Sequence, residues 1–319
     1  MAALVSMREA YGEALVELGR AKPEIVVLSA DVSNSDFSCL FQLAFPDRFF
    51  NVGIAEACLV DVAAGFASCG MIPFANTFAF LFATRALDGI RTHLCQGGLN
   101  VKLMGAYAGL SDSFDGPSHN SVTDVAIMRT LPRMTVVVPS DPMSIGKLLS
   151  QVAEWPGPVY VRLCRNDVPV LFGDSYQPFI GRAVRLRSGS SVTLVCCGVM
   201  VARTLEAAEV LEGMGVTAEV LEMHTVKPLD EPALLASVEK TRAAVTIEEH
   251  SVLGGLGGAV AEVLASSCPV PLRRVGLRDC FAETGPYLDL LDRYGMSVED
   301  IVSAAREAVE AKEERVKAP

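Results

Sequence analysis

The sequence predicts an α/β protein of two doubly wound α/β domains. A mostly parallel sheet with helices on both faces is expected in residues 1–180, and a smaller mixed α/β sheet in residues 181–319. Three observations carry this. Short runs that are apolar on both faces, such as Ile25-Val-Val-Leu-Ser29, alternate with amphipathic segments, as a parallel sheet covered by helices requires. The alternation is interrupted over residues 165–190, where Pro169, Gly173, Pro178, Gly181 and Gly189 stand among polar residues and suggest an interdomain connection. A length of 319 residues fits about two domains of roughly 150 each.

The elements follow in order. Ser6-Met-Arg-Glu9 is a capping-box pattern that opens a helix to about Gly19. Strand 25–29 ends at Asp31, and helices are expected near 37–44 and 55–68. Strand 72–76, helix 79–95 and strand 101–107 lead to a polar loop over 109–120. Helix 122–131, strand 135–139, helix 142–154 and strand 159–163 complete the first domain. The second begins with strand 192–197 and helix 200–213, with Gly215 as its stop. Strand 218–223, helix 231–239, strand 243–248, a glycine-rich turn, helix 257–266, strand 272–277 and two final helices follow. The pattern amounts to about five strands in the first domain and four in the second, and AKEERVKAP reads as a solvated tail.

Composition excludes several classes of function. Half the residues are hydrophobic and a fifth charged, so a substantial core is expected and disorder is not. A formal net charge of -11 without a basic run argues against nucleic acid or an anionic membrane as partner. The uncharged stretch Val62 to Thr84 is long enough to span a bilayer, but Gly65, Gly70, Pro73 and Asn76 divide it into a buried helix, a turn and a buried strand. The opening residues MAALVSMREAYGEA carry carboxylates at helical spacing, so no secretory signal is expected there. Nine cysteines lie in apolar segments without a CxxC pair, which suggests buried, reduced thiols in a cytoplasmic protein. Four histidines without HExxH give no metal site.

Four segments could carry chemistry. Gly254-Gly-Leu-Gly-Gly258 opens a helix after a strand, but its spacing misses GxGxxG, and close helix–sheet packing is the better reading. Glu56 ends Asn51-Val-Gly-Ile-Ala-Glu56 at the start of an apolar helix, a desolvated place for a carboxylate. Considered alone, it is more readily a helix-start acid answering the macrodipole. Asn76-Thr-Phe78-Ala-Phe80-Leu-Phe82-Ala-Thr-Arg85 is rich in phenylalanine, and the turn Asp115-Gly-Pro-Ser-His119 brings a carboxylate and an imidazole together for contacts to hydroxyls.

The order of these pieces resembles the second half of transketolase over essentially the whole chain. The likeness rests on Ser29-Ala-Asp31 with Ser35, the Asn-x-Gly-x-x-Glu segment, Thr77-Phe78, Asp115-Gly-Pro-Ser-His119, Pro139-Ser-Asp141 and the Gly254–Gly258 cluster. The family's diphosphate domain, with its Gly-Asp-Gly and magnesium-binding asparagines, has no counterpart. The chain therefore looks like the carboxy-terminal subunit of a split transketolase. The resemblance implies thiamine diphosphate, the electron sink of that chemistry, with Mg²⁺ and diphosphate held mainly by an amino-terminal partner. It implies that Glu56 bonds the aminopyrimidine, that Phe78 stacks on it, and that Phe82 and Asp31 border the cofactor. Leu81 and Thr84 stand where the family has further aromatics, and Phe80 and Phe82 are the candidates to replace them.

For the sugar, the resemblance assigns Asp115 and His119 to hydroxyls, with His119 also catalytic, and Arg8, Ser35 and Arg165 to a terminal phosphate. Arg162 competes with Arg165 for that role. Tyr107 stands where many transketolases have a histidine, which points to an altered anion pocket for phosphate, sulfonate or an unphosphorylated sugar. Arg85, Asp88 and Arg91 read as packing or interface residues. The implied reaction moves a two-carbon ketol unit from a ketose to an aldose, in an assembly of two copies of each subunit and not by this chain alone. The rivals are the β subunit of a 2-oxo-acid dehydrogenase E1 component, a deoxyxylulose-phosphate synthase-like enzyme, and a non-catalytic α/β partner. The first lacks the Asp-Gly-Pro-Ser-His turn.

Overall fold

The computed structural model describes residues 3–317. In chain order its strands are β1 (Leu4–Ser6), β2 (Ile25–Ser29), β3 (Phe49–Asn51), β4 (Ile72–Phe78), β5 (Lys102–Ala106), β6 (Thr135–Val137) and β7 (Val159–Arg162). They continue as β8 (Asp167–Pro169), β9 (Val184–Arg187), β10 (Val192–Cys196), β11 (Ala218–Glu222), β12 (Thr225–Lys227), β13 (Ala244–Ser251) and β14 (Leu272–Leu277). The larger sheet runs β12-β6-β7-β5-β4-β2-β3 and is parallel except for β12. The smaller runs β14-β13-β10-β11-β9 and is parallel except for β9. A mostly parallel sheet and a smaller mixed sheet are what the sequence predicts. β2, β5, β7, β10, β11 and β13 are buried along their whole length, which is why they read as unbroken apolar runs.

The structure corrects several details. β1, β3, β8, β9 and β12 are absent from the sequence reading because three or four residues at sheet edges are too few to show a period. The sheets therefore have seven and five strands, and β8 and β9 lie inside the segment read as a connection. The helix expected near 37–44 runs Cys39–Ala44, and a separate short helix, Ser33–Asp36, precedes it and ends at Phe37, whose φ of 65° is left-handed. The helix expected over 79–95 stops at Ala83 and resumes at Leu87. At the break Thr84 turns its hydroxyl onto the carbonyl of Phe80 at 2.7 Å, a side-chain bond that weakens helix continuation. The tail is helical: Val298–Lys317 is one helix, and Lys312 Nζ donates to the carbonyls of Ser191 and Thr241 at 2.8 and 3.1 Å. Ala318 and Pro319 lie outside the described residues.

Among the cysteines, Cys58, Cys69 and Cys280 are exposed, contrary to the expectation of burial; Cys95, Cys164, Cys196, Cys197 and Cys268 are buried. No described helix is long and apolar enough to cross a membrane. Residues 62–84 form a helix end, a turn and a buried strand, as their glycines and proline suggested, but the helix end is only partly buried and a short helix, Ala79–Ala83, follows the strand.

The two sheets share one interior. Leu256, Ala259, Val260 and Leu264 pack in the same apolar cluster as Leu59, Ala63, Ile90 and Met128. β12 also joins the edge of the larger sheet beside β6, with Val138 N donating to His224 O at 2.7 Å. At the seam Glu249 on β13 reaches across to accept from Leu110 N at 2.7 Å. Gly109 permits this close approach: its φ is +65°, and a Cβ there would run into the Glu249 carboxylate. Gly109→Ala is expected to destabilise the chain by roughly 1–3 kcal/mol, the usual cost of overpacking, read from the urea midpoint. An unchanged midpoint would show that the seam yields.

The glycine cluster has a packing role. Leu256 N and Gly257 N donate to the two oxygens of Glu248 at 2.7 and 2.8 Å. The protein thus supplies its own anion at this helix start, and a Cβ on Gly255 would collide with it.

Candidate functional site

The residues singled out in the sequence converge on the C-terminal edge of the larger sheet, where open α/β sheets bind ligands. Chain order reverses between β2 and β4: β3 lies on one side of β2, while β4 and β5 extend the other. Asp31 and Ser35 follow β2, Glu56 follows β3, Phe78 ends β4, Tyr107 follows β5 and Arg165 follows β7.

Glu56 begins the helix Glu56–Ser68. The loop before it is pinned by Asn51, whose Nδ2 donates to Asp31 Oδ1 at 2.8 Å and whose Oδ1 accepts from Gly53 N at 2.9 Å. Asp31 is exposed and left-handed at φ 62°, a strained setting of the kind found at functional sites. Glu56 is 3% exposed. Arg85 NH1 stands 3.5 Å from its Oε2, while Oε1 is buried without a hydrogen-bond partner. A buried acceptor left open calls for an explanation, and an absent ligand donor is one. Arg85, which the sequence reading set aside as packing, is therefore part of the site; the helix break at Thr84 is adjacent to it.

The aromatic wall is formed by Phe78, Tyr107 and Phe80. Phe78 lies 4.6 Å from Tyr107 between ring centroids, and Phe80 lies 5.2 Å from His119. Phe82 is not part of it. Its ring is completely buried in the apolar cluster with Ala63 and Ile90, so the expected cofactor contact is withdrawn and Phe80 takes the place beside the site. Leu81 is buried and Thr84 exposed.

The Asp115–His119 turn stands next to Phe80. Asp115 is exposed and His119 half-buried, with its Nδ1 3.0 Å from Ser118 Oγ. The second unit supports the turn from behind: Gly285 N donates to Ser113 O at 3.1 Å, and Thr284 fills the space a Cβ on Gly116 would need.

Tyr107 is flanked by two guanidinium groups. Arg8 Cζ lies 5.2 Å and Arg165 Cζ 4.9 Å from its ring centroid, both within cation–π range. Arg8 NH1 donates to Tyr107 Oη at 3.2 Å and to the carbonyl of Ser35. Arg8 Nε is buried without a partner. Arg165 NH1 donates to Asp112 Oδ1 at 2.6 Å. A cleft of about 790 Å³ opens beside Arg8 and Arg165, bounded by β8, Arg203 and Tyr287. Burial separates Arg162 from Arg165: Arg162 is buried and donates to Asp124, Ser121 O and Glu249 O, whereas Arg165 lines the cleft.

Two acids here escaped the sequence reading. Burial, reinforced by the neighbouring Asp115 carboxylate, pushes Asp112 up to about 6 against the pull of Arg165. Burial likewise pushes Asp36 up to about 6, against the bond from Ser38 and the field of Arg8. An aspartate in a loop belongs to no period, so only its position beside an arginine reveals it.

Comparison with known proteins finds relatives over nearly the whole chain. The family model for the transketolase pyrimidine-binding domain matches residues 3–170, and that for the transketolase C-terminal domain matches residues 181–301. The 6-deoxy-6-sulfo-D-fructose transketolase subunit of Clostridium sp. (strain MSTE9) is 42% identical, covering 96% of this chain and 95% of that one. An apulose-4-phosphate transketolase subunit of Phocaeicola vulgatus is 33% identical over 96% and 98%. A split-gene transketolase solved as an inactive beta4 tetramer superposes with a TM-score of 0.91 at 47% identity, covering 97% of this chain and 99% of that one.

Proposed function

The chain belongs to the transketolase family, whose chemistry depends on thiamine diphosphate, and from that premise we propose that it is the carboxy-terminal subunit of a two-polypeptide transketolase. The observation that carries the proposal is the unpartnered Oε1 of Glu56, buried at the ligand-binding edge of the sheet beside an aromatic wall. These residues suit an aminopyrimidine: a carboxyl able to share a proton with a ring nitrogen, and the Phe78 ring as a stacking face. When bound, thiamine diphosphate supplies the electron sink for breaking and remaking the carbon–carbon bond.

The chain's own residues do the rest. Glu56 holds the proton at the pyrimidine, and Arg85 holds the second oxygen of that carboxylate. Asp31 keeps the loop before Glu56 in place through Asn51 and borders the cofactor. Asp115 and His119 bind sugar hydroxyls, with His119 positioned to move a proton at the substrate oxygen. Arg8, Ser35, Tyr107 and Arg165 receive the terminal group of the sugar. The names of two relatives, which specify a sulfonated and a phosphorylated sugar, support a ketose with an anionic terminus as donor.

The diphosphate and Mg²⁺ fall to an amino-terminal partner, in an assembly of two copies of each chain. Ile54 is 73% exposed just before Glu56, and Phe50, Ala57 and Cys58 are exposed beside it, an apolar rim suited to a protein partner. The inactive tetramer of a single chain reported for the split-gene relative supports both self-association and inactivity without the partner.

The test is calorimetric titration of thiamine diphosphate and Mg²⁺ into the chain alone, into the amino-terminal protein alone and into their mixture. Saturable binding is expected in the mixture, with none in the isolated chain and no ketol transfer by it. Activity of the isolated chain would refute the partner requirement, and failure of a mixture shown to form a complex would refute the shared cofactor site.

A further inference from the structure

We propose that Asp112 sets the charge preference of the anion pocket, tuning it to a singly charged three-oxygen terminus, a sulfonate, over a phosphate dianion. This rests on the reading of Arg8, Ser35, Tyr107 and Arg165 as the terminal-group subsite.

The pocket offers donors in plenty. Arg8 presents a buried, unpartnered Nε–H, and Arg165 spends only NH1 on Asp112. Tyr107 Oη accepts from Arg8, which leaves its own proton free to donate. Several donors converging from two planar forks suit a group with three equivalent oxygens.

The charge is a different matter. Asp112 is itself buried, and its Oδ1 takes the Arg165 guanidinium at 2.6 Å, so that cation reaches the pocket largely neutralised. Its second oxygen is buried without a hydrogen-bond partner, so Arg165 is the one cation that bonds it among the described residues. Asp36 is buried within the field of Arg8 and weakens the second cation. Asp115, on the adjoining turn, places a second carboxylate beside Asp112. His119 is the remaining titratable group in the field of Asp112. With Asp112 ionised, the two arginines face a ligand with at most one uncompensated positive charge. A dianion then gains little from its second charge and still loses the hydration of both, whereas a sulfonate brings three acceptors and one charge.

The test uses the full chain and its isosteric variant Asp112→Asn, which keeps an acceptor for Arg165 and removes the charge. Calorimetry or NMR titration with methanesulfonate and with inorganic phosphate at pH 8, where phosphate is the dianion, gives the ratio of affinities. Wild type is expected to bind methanesulfonate at least as well as phosphate. Asp112→Asn is expected to shift the ratio toward phosphate about tenfold or more. Asp112→Ser, which also removes the charge, is expected to shift it the same way and serves if the asparagine variant does not fold. A ratio unchanged within about twofold in the folded variants overturns the proposal, as does a wild type that already prefers phosphate. Absence of saturable binding by either ion to wild type and variant overturns it as well. In the assembled enzyme the same shift should appear in KM for sulfonate- and phosphate-terminated donors, with kcat little changed. Loss of all ketol transfer in wild-type assemblies would count against the transketolase reading instead, while the ion preference would stand on the binding data.

Discussion

In the assembled enzyme, Glu56→Gln is expected to lower kcat by about 10²–10⁴-fold while leaving fold and assembly intact. The expectation follows from two oxygens in different situations. Oε2 is within 3.5 Å of Arg85 and Oε1 has no partner, so the side chain already occupies its place by packing and by the N-terminal end of its helix. Glutamine has the same shape and keeps one acceptor, so neither the helix nor the aromatic wall has reason to move. It cannot take up and return a proton, and that is the property the site needs. Steady-state kinetics with the partner present, together with thermal unfolding and cofactor titration, separate the outcomes. A variant that binds cofactor, keeps its melting temperature and turns over within about twofold of wild type would remove Glu56 from the mechanism. Arg85→Ala is the complementary probe: it leaves the carboxyl and removes the cation beside it, so a smaller loss in kcat is expected.

How much of this was legible beforehand depended on the physics behind each feature. Strands buried on both faces leave a continuous apolar run, so β2, β5, β7, β10, β11 and β13 were readable, whereas edge strands of three residues leave no signal. Glu56 taken alone reads as an ordinary helix-start acid and stands out only in order with Phe78 and the Asp115–His119 turn, whose Gly-Pro fixes its geometry. Phe82 was named with Phe80 as a replacement for the aromatics that Leu81 and Thr84 displace, and the helix that carries both decides between them. On the helix Ala79–Ala83, residues two apart point about 200° away from each other. Only one of the pair can face the site, and Phe80 does. Arg85 was set aside for a related reason, since a continuous helix over 79–95 would have treated it as one more surface cation. Asp112 and Asp36 carried no pattern at all. Their significance lies in what stands opposite them in space, and that depends on β2, β4, β5 and β7 lying in one sheet.

Arg162→Ala is expected to cost about 3–5 kcal/mol of stability, the usual result of breaking one partner out of a buried charge network. Arg162 bonds Asp124 through Nε at 2.9 Å and the carbonyls of Ser121 and Glu249 through NH2 at 3.0 and 2.8 Å, so one side chain ties the substrate turn's far end, a helix start and the second sheet together. Its removal leaves Asp124 and Glu249 buried without their cation. Burial alone would push Asp124 up, but Arg162 and the nearby His250 hold it below the usual carboxylate range. Burial pushes Glu249 up to about 7 even with Arg162 opposing it. Without the arginine Glu249 should titrate higher still in the folded state, and Asp124 should rise out of its depressed range to above its unfolded-state value. A raised folded-state pKa favours the native state at low pH and withdraws that support as pH rises through it. The loss caused by Arg162→Ala should therefore be smaller near pH 5 than near pH 8, read as the difference from wild type in urea midpoints at each pH. The opposite slope, or a loss under about 1 kcal/mol at both, would mean that Asp124 and Glu249 find other partners. Replacing Arg162, Asp124 and Glu249 together by apolar residues of similar volume should cost less than the single change, since no charge is then stranded. Such a triple variant would still lose the hold on Ser121 O, and with it the setting of the loop that ends in His119, so activity is expected to fall even where stability recovers.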